Sequence, residues 1–201
     1  MYSPILTREK TCSPVHCEPL EGRYDGTKWS VISSPNPSGS TGSDLFGVTA
    51  LSATDILAVG DYGTSTPPSK TLIEQYNGTK WSILPSPNSG LGTSYNIFSG
   101  VAAASATDIY AVGEAGASNG GGIGALSLNG TSNATSSPTG VTLIEHWNGT
   151  KWSVVSSPNP GTGNNSLYAV AHIPSTAQFW AVGAYNNGVP PVQSLAEFYN
   201  P

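Results

Sequence analysis

The chain has 201 residues and a formal net charge of -5 at pH 7, and only 9% of its residues are charged. Beyond Tyr24 there is no arginine and the four lysines are scattered, so the basic cluster that a nucleic acid partner requires is missing. There is no run of eighteen apolar residues for a membrane span, and residues 1–20 lack the apolar core of a secretory signal, so neither is predicted within this sequence.

Residues 1–23 form a tail ahead of the repetitive part of the chain, and the tail contains both cysteines. Cys12, His16 and Cys17 are three soft ligands, one fewer than a closed zinc site needs. Because no second Cys/His pair follows, a local disulfide or two free thiols is the favoured interpretation, and the sequence predicts no metal and no cofactor. The tail fits a linker remnant, a mis-set start or a docking strand.

Residues 24–201 are predicted to be a domain of three copies of one unit. The copies are marked by the segments 24–29 (YDGTKW), 76–81 (YNGTKW) and 147–152 (WNGTKW), and Phe198 begins a fourth. The first and second segments are 52 residues apart (76 − 24), and the second and third are 71 residues apart (147 − 76). The additional residues of the middle copy fall within 116–140, where Gly, Ser, Thr and Asn predict a long loop. The repeats are therefore 24–75, 76–146 and 147–198.

Each copy is predicted to contain four short strands. The first is a run of small and branched apolar residues, at 45–51, 98–104 and 167–173, and a tight turn follows it. The second strand ends in a glycine that indicates a bulge or close packing: Gly60, Gly113 and Gly183. The third and fourth strands, such as 71–76 and 80–84, meet through Asn-Gly, a strong hairpin signal, and Ser-Pro-Asn ends the unit. The predicted fold is all-β and antiparallel.

The run 109–113 (IYAVG), followed by an aromatic residue, a turn and tryptophan, resembles kelch-type β-propeller blades. Over nearly all of 24–201 the chain is more similar to bacterial propeller repeats that read S-x-x-D-[IV]-[WY]-A-V-G and then T-L-I-E-x-[WY]-N-G-T-x-W. It has one glycine where kelch repeats have two, and its Asn-Gly-Thr-Lys-Trp spacing departs from the Asp-box repeat of sialidases. The resemblance implies propeller blades. A β-trefoil, which also has three four-stranded repeats, is the rival fold.

Residues that recur in every copy are expected to serve the fold. One tryptophan should pack between neighbouring blades in each copy: Trp29, Trp81 and Trp152. One glutamate recurs at a strand position that fits a structural hydrogen bond or an exposed face: Glu74, Glu145 and Glu197. Gln178 replaces the aspartate that the other two copies have at the turn, so the hydrogen bonding of that turn should differ.

The resemblance implies a ligand face at one end of the blades, formed by the loops after the second strand and before the first. It would gather Asp44, Asp61, Tyr62, Tyr95, Glu114, Tyr185 and Asn186, together with the 116–140 insertion. Carboxylates, tyrosines and asparagines suit sugar hydroxyls or a cation. Asp61 and Glu114 are equivalent, so both could face the central axis, and a glycosidase would need such a pair at a set separation.

The predicted function is a binding, adhesion or scaffold module that recognises carbohydrate or protein. One alternative is a carbohydrate-active enzyme, a glycoside hydrolase or lyase, that uses the carboxylates of the ligand face. Another is a piece of a longer secreted propeller protein with no activity of its own. No catalytic residue is assigned. The resemblance and the composition point to an extracellular or cell-surface location.

The first and last copies are incomplete in the sequence, which begins with a fourth strand at 28–33 and ends with a third strand at 194–199. Each strand would expose an unpaired edge. Three blades are also fewer than the roughly four to eight that close a propeller. We therefore expect a head-to-tail homodimer of six blades, in which each chain donates its first strand to the other's last blade, or completion by the missing blades of a longer chain.

Overall fold

The computed structural model describes residues 20–64, 69–89, 94–117, 140–188 and 190–200. These residues form thirteen strands and no helix, so no described helix could span a membrane, and the predicted all-β fold is confirmed. The two cysteines, His16 and most of the 116–140 insertion lie outside the described residues. The strands are β1 (Leu20–Tyr24), β2 (Trp29–Ser33), β3 (Ser40–Ser52), β4 (Asp55–Thr64), β5 (Lys70–Tyr76), β6 (Trp81–Leu84), β7 (Ser94–Ser105), β8 (Asp108–Ala117), β9 (Val141–Trp147), β10 (Trp152–Val155), β11 (Asn165–His172), β12 (Phe179–Tyr185) and β13 (Gln193–Tyr199).

The strands form four antiparallel sheets whose strand order follows the chain. Sheet I contains β1 and β2, sheet II contains β3 to β6, sheet III contains β7 to β10, and sheet IV contains β11 to β13. Sheets II and III are the predicted four-stranded units. Their first strands, β3 and β7, contact each other, and β7 contacts β11 in turn.

The Asn-Gly hairpins form as predicted. Gly149 has a φ of 90°, a conformation that glycine adopts without the steric cost of a side chain. The Asn148 Oδ1 atom accepts hydrogen bonds from the Thr150 amide at 3.0 Å, the Thr150 hydroxyl at 2.7 Å and the Lys151 amide at 3.1 Å. Asn77 and Asp25 make the same three bonds in their own turns.

The glycine that ends each second strand allows close backbone contact, as predicted. A Cβ atom on Gly113 would lie 1.9 Å from the carbonyl oxygen of Ile97, and the equivalent glycines in sheets II and IV are equally confined. The facing first strand has a β-bulge beside each of these contacts, such as the register shift between Phe98 and Gly100. The glycine therefore provides the space that a bulged neighbouring strand needs.

The core lies between the sheets and includes two of the three recurring tryptophans. Trp152 of sheet III packs with Leu57 and Ile73 of sheet II, and Trp81 of sheet II packs with Ile32 of sheet I. The interpretation of Trp81 and Trp152 as residues between sheets is confirmed. Within the described chain Trp29 is not packed in this way, because its side chain is 72% exposed while the other two are 8% and 5% exposed. Each buried tryptophan faces the preceding sheet, and no described sheet precedes sheet I.

The expectation that the strand at 28–33 lacks a hairpin partner is wrong. β2 pairs with β1 over five residue pairs, from Leu20 opposite Ser33 to Tyr24 opposite Trp29. The sequence does not predict β1, because the repeated segment begins at Tyr24. The residues before it, which include Gly22 and Arg23, lack the pattern of a strand. At the other end of the chain, β13 pairs with β12 and with no other described strand.

The Ser-Pro-Asn segments fold back over their own sheet and reach the next one. The Asn88 Oδ1 atom accepts a hydrogen bond of 2.9 Å from the Thr71 amide, and the Ser86 hydroxyl lies 2.6 Å from that of Thr71. Ser86 also lies near the wholly buried Glu145 of sheet III. In sheet I the equivalent Ser34 donates a hydrogen bond to the buried carboxylate of Glu74.

The turn of the third copy keeps a side-chain hydrogen bond across the sheet, with different partners. In the first copy Asp55 accepts a hydrogen bond of 2.8 Å from Gln75, and in the second Asp108 lies 2.9 Å from the His146 ring nitrogen. In the third copy the Gln178 amide donates at 2.9 Å to the Asn200 side chain. Gln178 thus keeps a hydrogen bond at this turn, because its amide group donates one where the aspartates of the other copies use a carboxylate oxygen.

Candidate ligand-binding face

The predicted ligand residues lie at one end of sheets II to IV, where the second strands end and the first strands begin. We call this end the loop edge. Backbone pairing places one residue of each first strand opposite one residue of the second: Asp44 opposite Asp61, Ile97 opposite Glu114, and Ser166 opposite Ala184. The loop edge therefore carries carboxylates in sheets II and III.

Asp44 and Asp61 form a carboxylate pair within sheet II. Side chains directly opposite each other on antiparallel strands share a face, with Cβ atoms about 4.5–5.5 Å apart. Partial burial, together with the charge of Asp44, raises the pKa of Asp61 to about 6, and the Ser69 side chain opposes this rise. Asp61 can therefore take up a proton in mildly acidic solution while its exposed neighbour faces solvent.

Glu114 lies between sheets III and IV, in surroundings unlike those of its equivalent Asp61. It is buried, and its carboxylate accepts a hydrogen bond from the Ser166 hydroxyl of sheet IV. Burial and the charge of Glu114 raise the pKa of Tyr95 to about 12, and the same two causes raise the pKa of Tyr168. Glu114 is thus close to one tyrosine of each sheet.

Tyr95 also lies over the two ends of the insertion. A Cβ atom added to Gly116 would be 2.9 Å from the Tyr95 hydroxyl oxygen, and one added to Gly140 would be 3.2 Å from it. The insertion at 116–140 therefore leaves and re-enters the described fold beside this tyrosine.

Three other predicted ligand residues belong to the local structure of the loop edge. Tyr62 lies on β4 opposite Ser43, and the Tyr185 hydroxyl donates a hydrogen bond of 2.7 Å to Gln193. The side-chain oxygen of Asn186 accepts hydrogen bonds from the backbone amides of Asn164 at 3.2 Å and Gly188 at 2.9 Å. Asn186 holds two loops together in this structure, Tyr62 follows Asp61 on β4, and Tyr185 lies at the loop edge of sheet IV.

The structure adds a row of side chains that the sequence reasoning missed. The bulge residues of the three first strands, Phe46, Ser99 and Tyr168, occupy equivalent positions, and we call them the bulge row. A Cβ atom on Gly47 would lie 3.0 Å from the Gly100 Cα atom, so the bulges of neighbouring sheets are side by side. Phe46 and Tyr168 are both substantially exposed. The glycine after Phe46 and Ser99 is the only sequence signal, and it is absent after Tyr168.

The groups at the loop edge and in the bulge row can contact both the apolar and the hydroxyl surfaces of a polyol. Exposed aromatic rings can pack against the apolar face of a sugar, and carboxylates, hydroxyls and tyrosines can bond to its hydroxyl groups. Among the residues that the structure describes, no three His, Cys, Asp or Glu side chains are grouped as metal ligands.

Comparison of the sequence with models of known protein families gives no match. A search of curated proteins gives no significant match either.

Proposed function

We propose that sheets II, III and IV are β-propeller blades and that the protein is a binding module that recognises carbohydrate at the loop edge. The blade assignment is supported by the strand order of the sheets and by the contacts of β3, β7 and β11, which would line the axis. An extracellular or cell-surface location belongs to the same proposal.

The bulge row is the observation that carries the carbohydrate assignment. It places three equivalent bulge positions side by side on neighbouring first strands, two of them held by exposed aromatic residues, and Glu114 is close to Tyr168. Extended oligosaccharides present alternating apolar faces and hydroxyl groups, which match an aromatic row flanked by carboxylates. The scarcity of basic side chains favours a neutral glycan over an anionic one.

The test is binding of the purified chain to an array of neutral and anionic oligosaccharides. We expect retention of a neutral oligosaccharide, a loss of about tenfold or more in affinity for Tyr168→Ala, and near wild-type affinity for Tyr168→Phe, which keeps the ring. Phe198→Ala, which removes an exposed ring at the end of sheet IV away from the loop edge, is the matched control and should bind normally. Failure to retain any oligosaccharide, or unchanged binding by Tyr168→Ala, would contradict the proposal.

A second candidate is a glycoside hydrolase, and the Asp44–Asp61 pair is the observation that favours it. A carboxyl group with a pKa of about 6 beside a second carboxyl group is the arrangement of an acid with a base or nucleophile. If the bound oligosaccharide is cleaved, Asp61→Asn should abolish cleavage and leave binding intact. If no cleavage is detected in the wild type, the binding module stands alone.

A further inference from the structure

Sheets III and IV line a partly open, mainly apolar cavity of about 290 Å³ beside the edge of β13 that pairs with no described strand. Its lining includes Ile144 and Val155 of sheet III and Phe179, Leu195 and Tyr199 of sheet IV. In sheets II and III, the position beside the third strand is occupied by a fourth strand whose first residue is the buried tryptophan. The cavity thus lies where a fourth strand of sheet IV would place its tryptophan.

Most of the apolar lining residues are the repeat equivalents of residues that cluster with Trp152. Ile144 and Val155 correspond to Ile73 and Leu84 of sheet II. The sheet IV residues correspond likewise to residues of sheet III: Phe179 to Ile109, Ala181 to Ala111, Leu195 to Leu143, and Tyr199 to Trp147. The cavity lining therefore matches the surroundings of Trp152, and Trp29 is the recurring tryptophan that the described chain leaves exposed.

The outer faces of sheets II and IV resemble the two surfaces that pack against each other between sheets II and III. Trp180 and Val182 of sheet IV are about half exposed, whereas their equivalents in sheet II, Leu57 and Val59, are buried against sheet III. On the opposite side, Val48 of sheet II is 68% exposed, whereas its equivalent Val101 of sheet III is 8% exposed. The outer face of sheet IV is thus equivalent to the sheet II surface that packs on sheet III. The outer face of sheet II is equivalent to the sheet III surface that contains Val101.

We propose that a second copy of this chain covers both faces, with β2 of one copy as the fourth strand of sheet IV in the other and Trp29 in the cavity. In this arrangement β13 replaces β1 as the partner of β2, and Tyr199 takes the position opposite Trp29 that Tyr24 has within the chain. The face of sheet IV then packs on sheet II of the second copy. A head-to-tail contact of this kind uses two different surfaces, and two chains satisfy both when the contact closes.

The first test is the solution mass by light scattering across a dilution series. The wild type should have about twice the 20.6 kDa mass of the chain, and Val48→Asp and Trp29→Asp should be monomeric. Both side chains are exposed within one chain, so neither change should unfold it. Val154→Asp is the matched control, because Val154 and its equivalent Ile83 stay exposed beside packed sheets. A monomeric wild type, or a dimer that survives Val48→Asp, would overturn the proposal.

The second test detects the strand exchange itself. With Cys12 and Cys17 replaced by serine, chains carrying Ser30→Cys and chains carrying Phe198→Cys are mixed and oxidised. The register of the other hairpins places Ser30 opposite Phe198, as Ser82 is opposite Gln75, so a mixed disulfide-linked dimer should form in high yield. A two-chain species that gives no such crosslink would overturn the arrangement.

A third test compares two sources of a fourth strand for sheet IV: a strand added to the same chain and β2 of a second copy. A chain extended after residue 200 by a copy of residues 149–155 carries its own fourth strand, and a version with the added tryptophan changed to aspartate is the control. Under our proposal the first extension, but not the second, competes with β2 and converts the dimer into a monomer. If the wild type is already monomeric and only the first extension raises the unfolding temperature, the occupant is a further strand of a longer chain, which overturns the second-copy assignment.

Discussion

Buried glutamates recur between the sheets, and their protonation affects stability. Glu145 is wholly buried, and burial raises its pKa to about 8, although the nearby Ser86 hydroxyl opposes the rise. Burial and the charge of Glu74 also raise the pKa of Glu21 to about 8, where sheet I meets sheet II. Each of these carboxyl groups binds its proton more tightly in the folded chain than in the unfolded chain, so the sheet contacts are strongest when they are neutral.

We predict that the free energy of unfolding decreases as the pH rises from 5 to 8.5. A glutamate whose pKa rises from about 4.5 to about 8 on folding contributes stability that is full below pH 4.5 and is lost by about pH 8. One pKa unit corresponds to about 1.4 kcal/mol, so Glu145 alone accounts for a change of several kcal/mol.

Urea unfolding of the wild type and of Glu145→Gln at several pH values measures this dependence. The variant should show a shallower decline than the wild type. Asp25→Asn is the control, because the hydrogen bonds of its turn lower the pKa of Asp25 to about 2, well outside this pH range. Parallel pH profiles for the wild type and Glu145→Gln would show that Glu145 does not titrate in this way.

At the scale of the element, the hairpin turns depend on an acceptor oxygen and not on charge. Asn148 and Asp25 make the same three hydrogen bonds in equivalent turns. Asn148→Ala should therefore lower the free energy of unfolding by about 1–2 kcal/mol, because the Thr150 and Lys151 amides lose their acceptor. Asn148→Asp, which keeps the oxygen, should stay within about 0.5 kcal/mol of the wild type. Chemical denaturation measures both, and equal losses would contradict the role given to the oxygen.

The glycine that ends each second strand should tolerate no side chain. Gly113→Ala would place a Cβ atom 1.9 Å from the carbonyl oxygen of Ile97, so the bulged strand must move, at a cost of about 1–3 kcal/mol or more. Gly42→Ala is the control, because Gly42 also lies in a strand and nothing lies within 4 Å of its Cβ position. A shift of the thermal midpoint that is as small for Gly113→Ala as for Gly42→Ala would show that the strand can adapt.

The strands and hairpins were predictable from the sequence because their signals are local. Asn77 and Gly78 determine a turn by themselves, and the apolar runs beside them have the alternation and length of strands. The bulge row and the contact of Ser34 with Glu74 were not predictable, since they depend on how two sheets approach each other. The same is true of β1, which forms because β2 offers it a backbone edge and not because of its own side-chain pattern.

At the scale of the whole molecule, each sheet is stabilised mainly by its neighbours. Sheet III is packed on both sides, against sheets II and IV, whereas sheet I contacts sheet II alone among the described sheets. Repetitive folds of this type draw their stability from the contacts between units as well as from each unit. Local opening should therefore be easiest at the two ends of the described sheets.

Amide hydrogen exchange measures this gradient strand by strand. In the monomeric variant Val48→Asp, the amides of β8 should exchange slowest, because β7 and β9 flank β8 and the sheets on both sides cover it. The amides of β1, β2 and β13 should exchange fastest, since these strands lie at open faces or free edges. In the wild type at high protein concentration, β2 and β13 should become protected while β1 stays open, because the strand exchange gives β2 a new partner and leaves β1 without one. Protection of β1 together with β2 would show instead that the hairpin of sheet I remains intact when two chains associate.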